Sequence, residues 1–279
     1  MPDLFTVFEK RWKFILGLTL LAAVLALVIC LIRPKEYLST ATALPANSLV
    51  ADKARVFNQN IEALYSDFGT PDELDRLEGT AKLDTIYLAT VKESGLIEHY
   101  EIDHSGEALF EAVERLKKKS KINRSAYGEL KIKVWDIDRN KAAEIANTLL
   151  KNLQELHQHL QNESNIAMLA TLRSGQQEKL QQFKHAVDTL TSLSGAEAEI
   201  WEAKKTAMLE QLQQHEKMIN QYQFAVNTNP RVLITVENAR PAIWHDKPET
   251  VLTVLLAAFA AFALAFLLSL FTDSRRNLK

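Results

Sequence analysis

Two long apolar segments, one near each end of the sequence, constrain its fold more than any other feature. Neither Phe14–Ile32 nor Val251–Phe271 contains a charged side chain. Each is about 20 residues long, and an α-helix of that length spans the hydrocarbon layer of a bilayer. Both are apolar on every face, whereas a surface helix of a soluble domain keeps a polar stripe. They predict transmembrane helices at residues 14–32 and 250–271, rather than buried core helices.

A cleaved signal peptide is the alternative for the first segment, because basic residues at 10, 11 and 13 precede it. Its apolar run is longer than the usual ~7–15 residues of such peptides, and no small-residue cleavage site follows it. The sequence therefore favours a retained anchor.

Orientation follows from the short flanks, since basic residues beside a membrane helix mark its cytoplasmic side. Lysine or arginine stands at 10, 11 and 13 before the first segment and at 275, 276 and 279 after the second. We expect a cytoplasmic N-terminus at residues 1–13 and a cytoplasmic tail at residues 272–279. The whole middle of the chain is then expected on the other side of the membrane.

Composition excludes several classes of function. The formal net charge is -2, so no basic surface for nucleic acid is expected. The single cysteine, Cys30, falls inside the first apolar segment. This argues against a disulfide scaffold, thiol catalysis or a cysteine zinc site in the middle region.

Catalytic and metal-binding motifs are not recognisable in the sequence. The histidines form no His-Glu-x-x-His pattern, and no Gly-x-x-x-x-Gly-Lys-Ser/Thr phosphate loop occurs. His157 and His159 are two residues apart on a predicted helix, so they face different directions. We assign no catalytic, cofactor-binding or metal-binding residue and expect no cofactor.

Residues 33–138 show the mixed periodicity of an α/β domain, with apolar residues alternating in strands and recurring every three or four residues in helices. The expected elements are a strand at Tyr37–Leu44, helices at Ser48–Tyr65, from Pro71, at Leu83–Val91 and at Glu107–Lys119, and a strand at Leu130–Val134. In the helix at Leu83–Val91, the side chains of Leu83, Ile86, Tyr87 and Thr90 are expected to share one face.

Residues 139–229 carry the heptad spacing of an antiparallel helical hairpin. Asp138 is expected to cap the first helix. The predicted seam of that helix is Ala142, Ala146, Leu149, Leu153, Leu156 and Leu160, resuming at Leu180, Phe183, Val187 and Leu190. The predicted seam of the second helix is Trp201, Met208, Leu212, Ile219, Tyr222 and Val226, with Lys205 and His215 as polar intrusions.

The first of the two helices is longer than the second. We therefore expect its first turns to pack on the base domain and the rest of it to project beyond that domain. Polar residues interrupt its seam between Asn162 and Gln177, and this stretch is a candidate for contacts between protomers. A turn is expected at Thr191–Gly195, and residues 230–249 supply a return strand and a proline-bounded link to the second membrane helix.

The order of these parts resembles that of the chain-length determinant proteins, the Wzz-type polysaccharide co-polymerases of the bacterial inner membrane. The resemblance covers essentially the whole chain. Its local matches are the strand and acidic pair Leu130–Asp138 followed by Ala142–Asn147, the strand Tyr37–Leu44, and Ala239-Arg240-Pro241. The chain departs from the family at Arg139-Asn140, where a proline is usual, and in having only Pro241 and Pro248 near the second membrane helix.

The resemblance implies an α+β membrane protein, with two transmembrane helices flanking a periplasmic α/β base and a long projecting helical hairpin. It further implies a ring-like homo-oligomer in the bacterial inner membrane, with both termini cytoplasmic. Its partners would be a separate membrane polysaccharide polymerase and a lipid-linked glycan. The implied role is non-enzymatic control of the chain length of O-antigen, capsule or exopolysaccharide.

Two other classes of function remain open on the sequence. An inner-membrane adaptor of a polysaccharide or small-molecule export complex would also use a helical hairpin. A sensory protein would share the two anchors, but it needs a cytoplasmic output domain, for which residues 272–279 are too short.

Overall fold

The computed structural model describes residues 4–46, 71–103, 106–190 and 196–276. They form an α+β structure with long helices and a small sheet, as expected. The elements in chain order are α1 Leu4–Ile32, β1 Tyr37–Pro45, α2 Pro71–Ala81, α3 Asp84–Glu93, α4 Leu96–His99, α5 Ala108–Lys118, β2 Ser120–Arg124, β3 Leu130–Asp136, α6 Arg139–Leu190, α7 Ala196–Thr228, β4 Leu233–Glu237 and α8 Thr250–Arg276. The helix predicted at Ser48–Tyr65 and the turn predicted at Thr191–Gly195 lie outside the described residues.

The chain divides into two compact units. The terminal unit comprises residues 1–39, 134–143 and 240–279, and the central unit comprises residues 40–133 and 144–239. The terminal unit therefore holds α1 and α8, while the central unit holds α2 to α5, α7 and most of α6.

In the terminal unit, α1 and α8 lie against each other through small side chains. Both helices are long and apolar enough to cross a membrane, over Trp12–Ile32 and Thr250–Ser269. The side chains buried in their contact include Ala26 and Cys30 from α1, and Ala265 and Ser269 from α8. The members of each pair are one helical turn apart, and small residues at that spacing let the backbones of membrane helices approach closely.

Within the described residues, the sheet has four strands in the order β2-β3-β1-β4. In the central unit, β1 pairs antiparallel with β4, and the register places Leu44 opposite Ile234. The side chains of β3 alternate between buried and half-buried positions, as predicted for Leu130–Val134. Strand β4 lies at the edge of the sheet, and of its side chains only Leu233 is buried.

Strand β2 and the short helix α4 were not among the expected elements. Ile122 is the one buried side chain in β2, and a single apolar residue among polar neighbours gives no visible alternation. The interpretation of Leu83 was also wrong. Its side chain is 49% exposed, because Leu83 is the N-cap residue of α3, and the buried face consists of Ile86, Tyr87, Thr90 and Val91.

The predicted hairpin is present, as α6 of 52 residues and α7 of 33 residues. Asp138 caps α6 as expected, since its Oδ1 accepts a hydrogen bond of 2.8 Å from Asn140 N. The early turns of α6 pack in the base of the central unit, where Leu149 and Leu153 are fully buried. There the Asn147 carboxamide bonds both the N–H (2.8 Å) and the C=O (3.1 Å) of Ala239.

Candidate functional site

The first candidate site lies in the terminal unit, where the chain leaves α1 and enters α8. Glu36 N donates to Lys247 O at 3.0 Å, and Asp246 N donates to Glu36 O at 2.8 Å. These backbone hydrogen bonds make a short antiparallel bridge between the two segments. The bridge fixes the spacing of the chain at the ends of the two apolar helices.

Side chains reinforce this bridge. Trp135, at the end of β3, donates its indole N–H to Asp246 Oδ2 at 2.6 Å. Lys247 Nζ lies 4.4 Å from the centroid of the Trp135 ring and 3.6 Å from Glu36 Oε2. We call these four residues, Glu36, Trp135, Asp246 and Lys247, the clasp. A cation over a half-buried indole contributes about 1 kcal/mol, so the clasp positions the chain more than it stabilises it.

Beside the clasp, and lined in part by its residues Glu36 and Lys247, is a groove of about 530 Å³ at the same end of the two apolar helices. Its polar wall includes Arg33 and Glu249, and its apolar wall includes Leu252 and Leu256. The sequence alone predicts no role for these residues. The feature of the sequence that could have indicated this groove is a charged residue directly adjoining the end of each apolar helix.

A second cavity, of about 380 Å³, lies in the central unit and is lined by Arg76, Leu77, His157 and Leu160 among others. Thr80 Oγ1 lies 2.6 Å from His157 Nε2. Burial lowers the pKa of His157 below its ordinary value, and the nearby Arg76 lowers it further. At neutral pH this imidazole is therefore uncharged.

The two histidines considered at the outset do not come together. His159 points away from the cavity, and its Nε2 lies 3.3 Å from Glu163 Oε1 one turn along α6. Within the described ranges, no three His, Cys, Asp or Glu side chains are grouped so that they could hold a metal ion.

The third candidate is the seam of the hairpin. Side chains of α6 that are buried or half-buried recur in steps of three and four residues through the stretch predicted to be interrupted and beyond it. Among them are Asn162, Asn165, Leu169, Leu172, Gln176, Lys179, Phe183 and Ala186. The seam is therefore continuous in geometry, and it contains both polar and apolar side chains. On α7 all six predicted members and both intrusions, Lys205 and His215, are half-buried, so that prediction is confirmed.

Two members of the predicted α6 seam are misplaced. Leu160 is 49% exposed and Leu180 is 43% exposed. Leu160 lines the cavity beside His157 instead. Lys179 takes the inward position that was expected for Leu180, and its Nζ donates to Gln211 Oε1 of α7 at 3.1 Å. A lysine can do so because its aliphatic stem packs while its amine reaches a polar partner.

Polar contacts across the seam are made within one chain. Arg173 donates to Gln223 Oε1 of α7 at 2.6 Å. Gly175 lies next to His215 of α7, since a Cβ on Gly175 would be 3.6 Å from His215 Cε1. Ile166 and Met168 lie on either side of the seam in the same stretch, and they are 49% and 44% exposed. That residues 162–177 contact a neighbouring protomer stays a prediction.

No family model and no curated protein matches the sequence. Several solved structures are similar to the chain. A full-length bacterial polysaccharide co-polymerase is 14% identical, with 99% of this chain and 98% of that chain covered and a TM-score of 0.43. A fragment of WzzB, a polysaccharide co-polymerase from Salmonella Typhimurium, is 12% identical, with 77% and 100% covered and a TM-score of 0.41.

The wild-type lipopolysaccharide O-antigen chain-length regulator WzzBSF of Shigella flexneri is 12% identical, with 75% of this chain and 100% of that chain covered and a TM-score of 0.33. The first of these likenesses extends over nearly the whole length of the chain.

Proposed function

We propose that this protein is a Wzz-type chain-length determinant, which sets the length of a bacterial surface polysaccharide made by a separate membrane polymerase. The observation that carries the proposal is the order of parts. An apolar helix leads into strand β1 and an α/β base. A 52-residue helix, α6, then leaves the base, and a 33-residue helix, α7, brings the chain back. Strand β4 pairs with β1 and leads to the second apolar helix. The three local sequence matches fall at the junctions of these parts.

The arrangement suits a scaffold better than a catalyst. The hairpin is held by a seam of side chains from both helices, while apolar residues also face outward on α7. Ile200 is 69% exposed and Leu209 is 46% exposed. Exposed apolar side chains on a long helix favour contact with another protein, and a ring of identical protomers would cover them. The polymerase and the lipid-linked glycan are its proposed partners.

The proposed topology places both termini in the cytoplasm of a bacterial inner membrane, with residues 33–249 in the periplasm. The basic residues at both ends support this orientation, and the backbone bridge between Glu36 and Lys247 supports the return of the chain to the same face. In this arrangement the hairpin reaches the compartment in which surface polysaccharides are extended.

Deleting the gene tests the function. The length distribution of the surface polysaccharide is expected to lose its preferred length, while the composition of the repeat unit stays the same. An unchanged distribution on electrophoresis would contradict the proposal. Crosslinking in intact cells distinguishes the proposed function from the alternative, an adaptor of an export complex. Capture of a polysaccharide polymerase would support our proposal. Capture of a transporter with an outer-membrane channel would support the adaptor.

A further inference from the structure

The groove beside the clasp has the chemistry of a lipid site. We propose that it binds the headgroup of a zwitterionic aminophospholipid, with the phosphate on Arg33 and the ammonium on Glu249. The inference rests on the proposed membrane placement of α1 and α8, and it is independent of the role in polysaccharide length.

Position is the first argument. Arg33 directly follows α1, which ends at Ile32, and Glu249 directly precedes α8, which begins at Thr250. Both side chains line the groove. A charged residue adjoining the end of a membrane helix lies at the depth of the lipid headgroups. The groove therefore opens where phosphate and ammonium groups are most concentrated.

Charge is the second argument. Lys247 is already held by Glu36 and the Trp135 ring, and Asp246 accepts from the Trp135 indole. Among the described residues, in contrast, neither Arg33 nor Glu249 has an ion-pair partner within 4.0 Å. A ligand with a single negative charge would satisfy Arg33 and be repelled by Glu249. A phosphate joined to an ammonium satisfies both.

The apolar wall is the third argument. Leu252 and Leu256 lie one helical turn apart on α8, and they are 52% and 60% exposed. They line the same groove as the two charges. This combination of a polar end and an apolar wall matches an amphiphile rather than a free sugar or a free phosphate. About 530 Å³ is enough space for a headgroup and the first carbons of an acyl chain.

Native mass spectrometry of the full chain, released from nanodiscs, tests the proposal. The probes are phosphatidylethanolamine, phosphatidylcholine, whose quaternary ammonium cannot donate a hydrogen bond, and phosphatidylglycerol, which has no ammonium. We expect about tenfold more retained phosphatidylethanolamine than either other lipid, the ratio that one charge-assisted hydrogen bond supplies. Glu249→Gln is expected to bring the ratio close to one. Arg33→Gln is expected to lower the retention of all three lipids, since it removes the contact with the phosphate that they share.

Arg231→Gln is the matched control, since it removes an exposed arginine of the central unit outside the groove, and it is expected to retain the native ratio. Circular dichroism checks that every variant keeps its helices. Equal retention of the three lipids by the native protein would overturn the proposal, as would preference for phosphatidylglycerol. Loss of the oligomer in Arg33→Gln with lipid retention unchanged would also overturn it, and would assign the groove to a second copy of the chain.

Discussion

The indole of Trp135 and the carboxylate of Asp246 are joined by a hydrogen bond of 2.6 Å, although 111 positions separate them in sequence. The bond ties the end of strand β3 to the segment that leads into α8. It lies in the same clasp as Lys247 and Glu36, so it bears on how the chain is held at the ends of its apolar helices.

Replacing Trp135 by phenylalanine removes this hydrogen bond and keeps an aromatic ring under Lys247. We expect the free energy of unfolding to fall by about 1 kcal/mol, the net value of one hydrogen bond. Chemical denaturation of the detergent-solubilised protein, followed by circular dichroism, measures it. Trp244→Phe is the control, because the Trp244 side chain is 82% exposed. Equal losses in the two variants would show that the bond contributes nothing.

Ala265 tests the contact between α1 and α8. Its side chain is fully buried, so a leucine there forces the helices apart and is expected to cost about 1–3 kcal/mol. Ala263→Leu adds the same volume at an exposed position of α8 and is expected to change stability little. Titration with a denaturing detergent compares the two. If Ala263→Leu is the more damaging variant, the helix face described for this contact is wrong.

His157 gives the central unit a pH dependence. Its pKa is lowered in the folded state by burial and by Arg76, so the unfolded chain binds a proton more readily. Stability then rises with pH. The contribution of His157 is fully present above the ordinary histidine pKa of about 6.5 and is lost as the pH falls below it.

His157→Gln is therefore expected to show a smaller loss of stability than the native protein between pH 7 and about pH 5. Unfolding measured at several pH values provides the comparison. His159→Gln is the control, since that side chain is exposed and lies beside Glu163. Identical pH profiles for the native protein and His157→Gln would contradict the assignment of a neutral imidazole.

Leu169 tests the hairpin seam. Its side chain is 6% exposed, and removal of a buried leucine leaves a cavity that costs about 2–3 kcal/mol. Hydrogen exchange of the α6 and α7 amides is expected to accelerate in Leu169→Ala. Ile166→Ala, at a position that is 49% exposed, is expected to leave exchange nearly unchanged. Equal effects in the two variants would mean that the seam does not hold the hairpin together.

Elements in which apolar residues recur at a regular spacing were predictable from the sequence. The apolar segments, the alternation of Leu130–Val134 and the heptads of α7 each repeat often enough to exceed chance. The cap at Asp138 was predictable because an acidic residue preceding a long periodic stretch satisfies the first backbone N–H groups. These features account for the α+β class and for the hairpin.

What could not be predicted depends on contacts between distant segments. Nothing in the sequence near Trp135 indicates that Asp246 will accept its N–H, because the sheet brings these two positions together. Lys179 replaced Leu180 in the seam for a related reason. The partner helix decides which of two adjacent positions faces inward, and an inward lysine can still reach Gln211. The cavity at His157 likewise requires the meeting of α2 and α6.

Thiol labelling of the full chain tests the central claim most directly, since the native protein has one cysteine, Cys30, buried in the contact between α1 and α8. Ile166→Cys places a thiol on the outer face of the hairpin, and Ser274→Cys places one in the proposed cytoplasmic tail. In intact cells, a maleimide that cannot cross the inner membrane is predicted to label Ile166→Cys, and to label Ser274→Cys only after lysis. Labelling of Ser274→Cys in intact cells, with Ile166→Cys protected until lysis, would contradict the account.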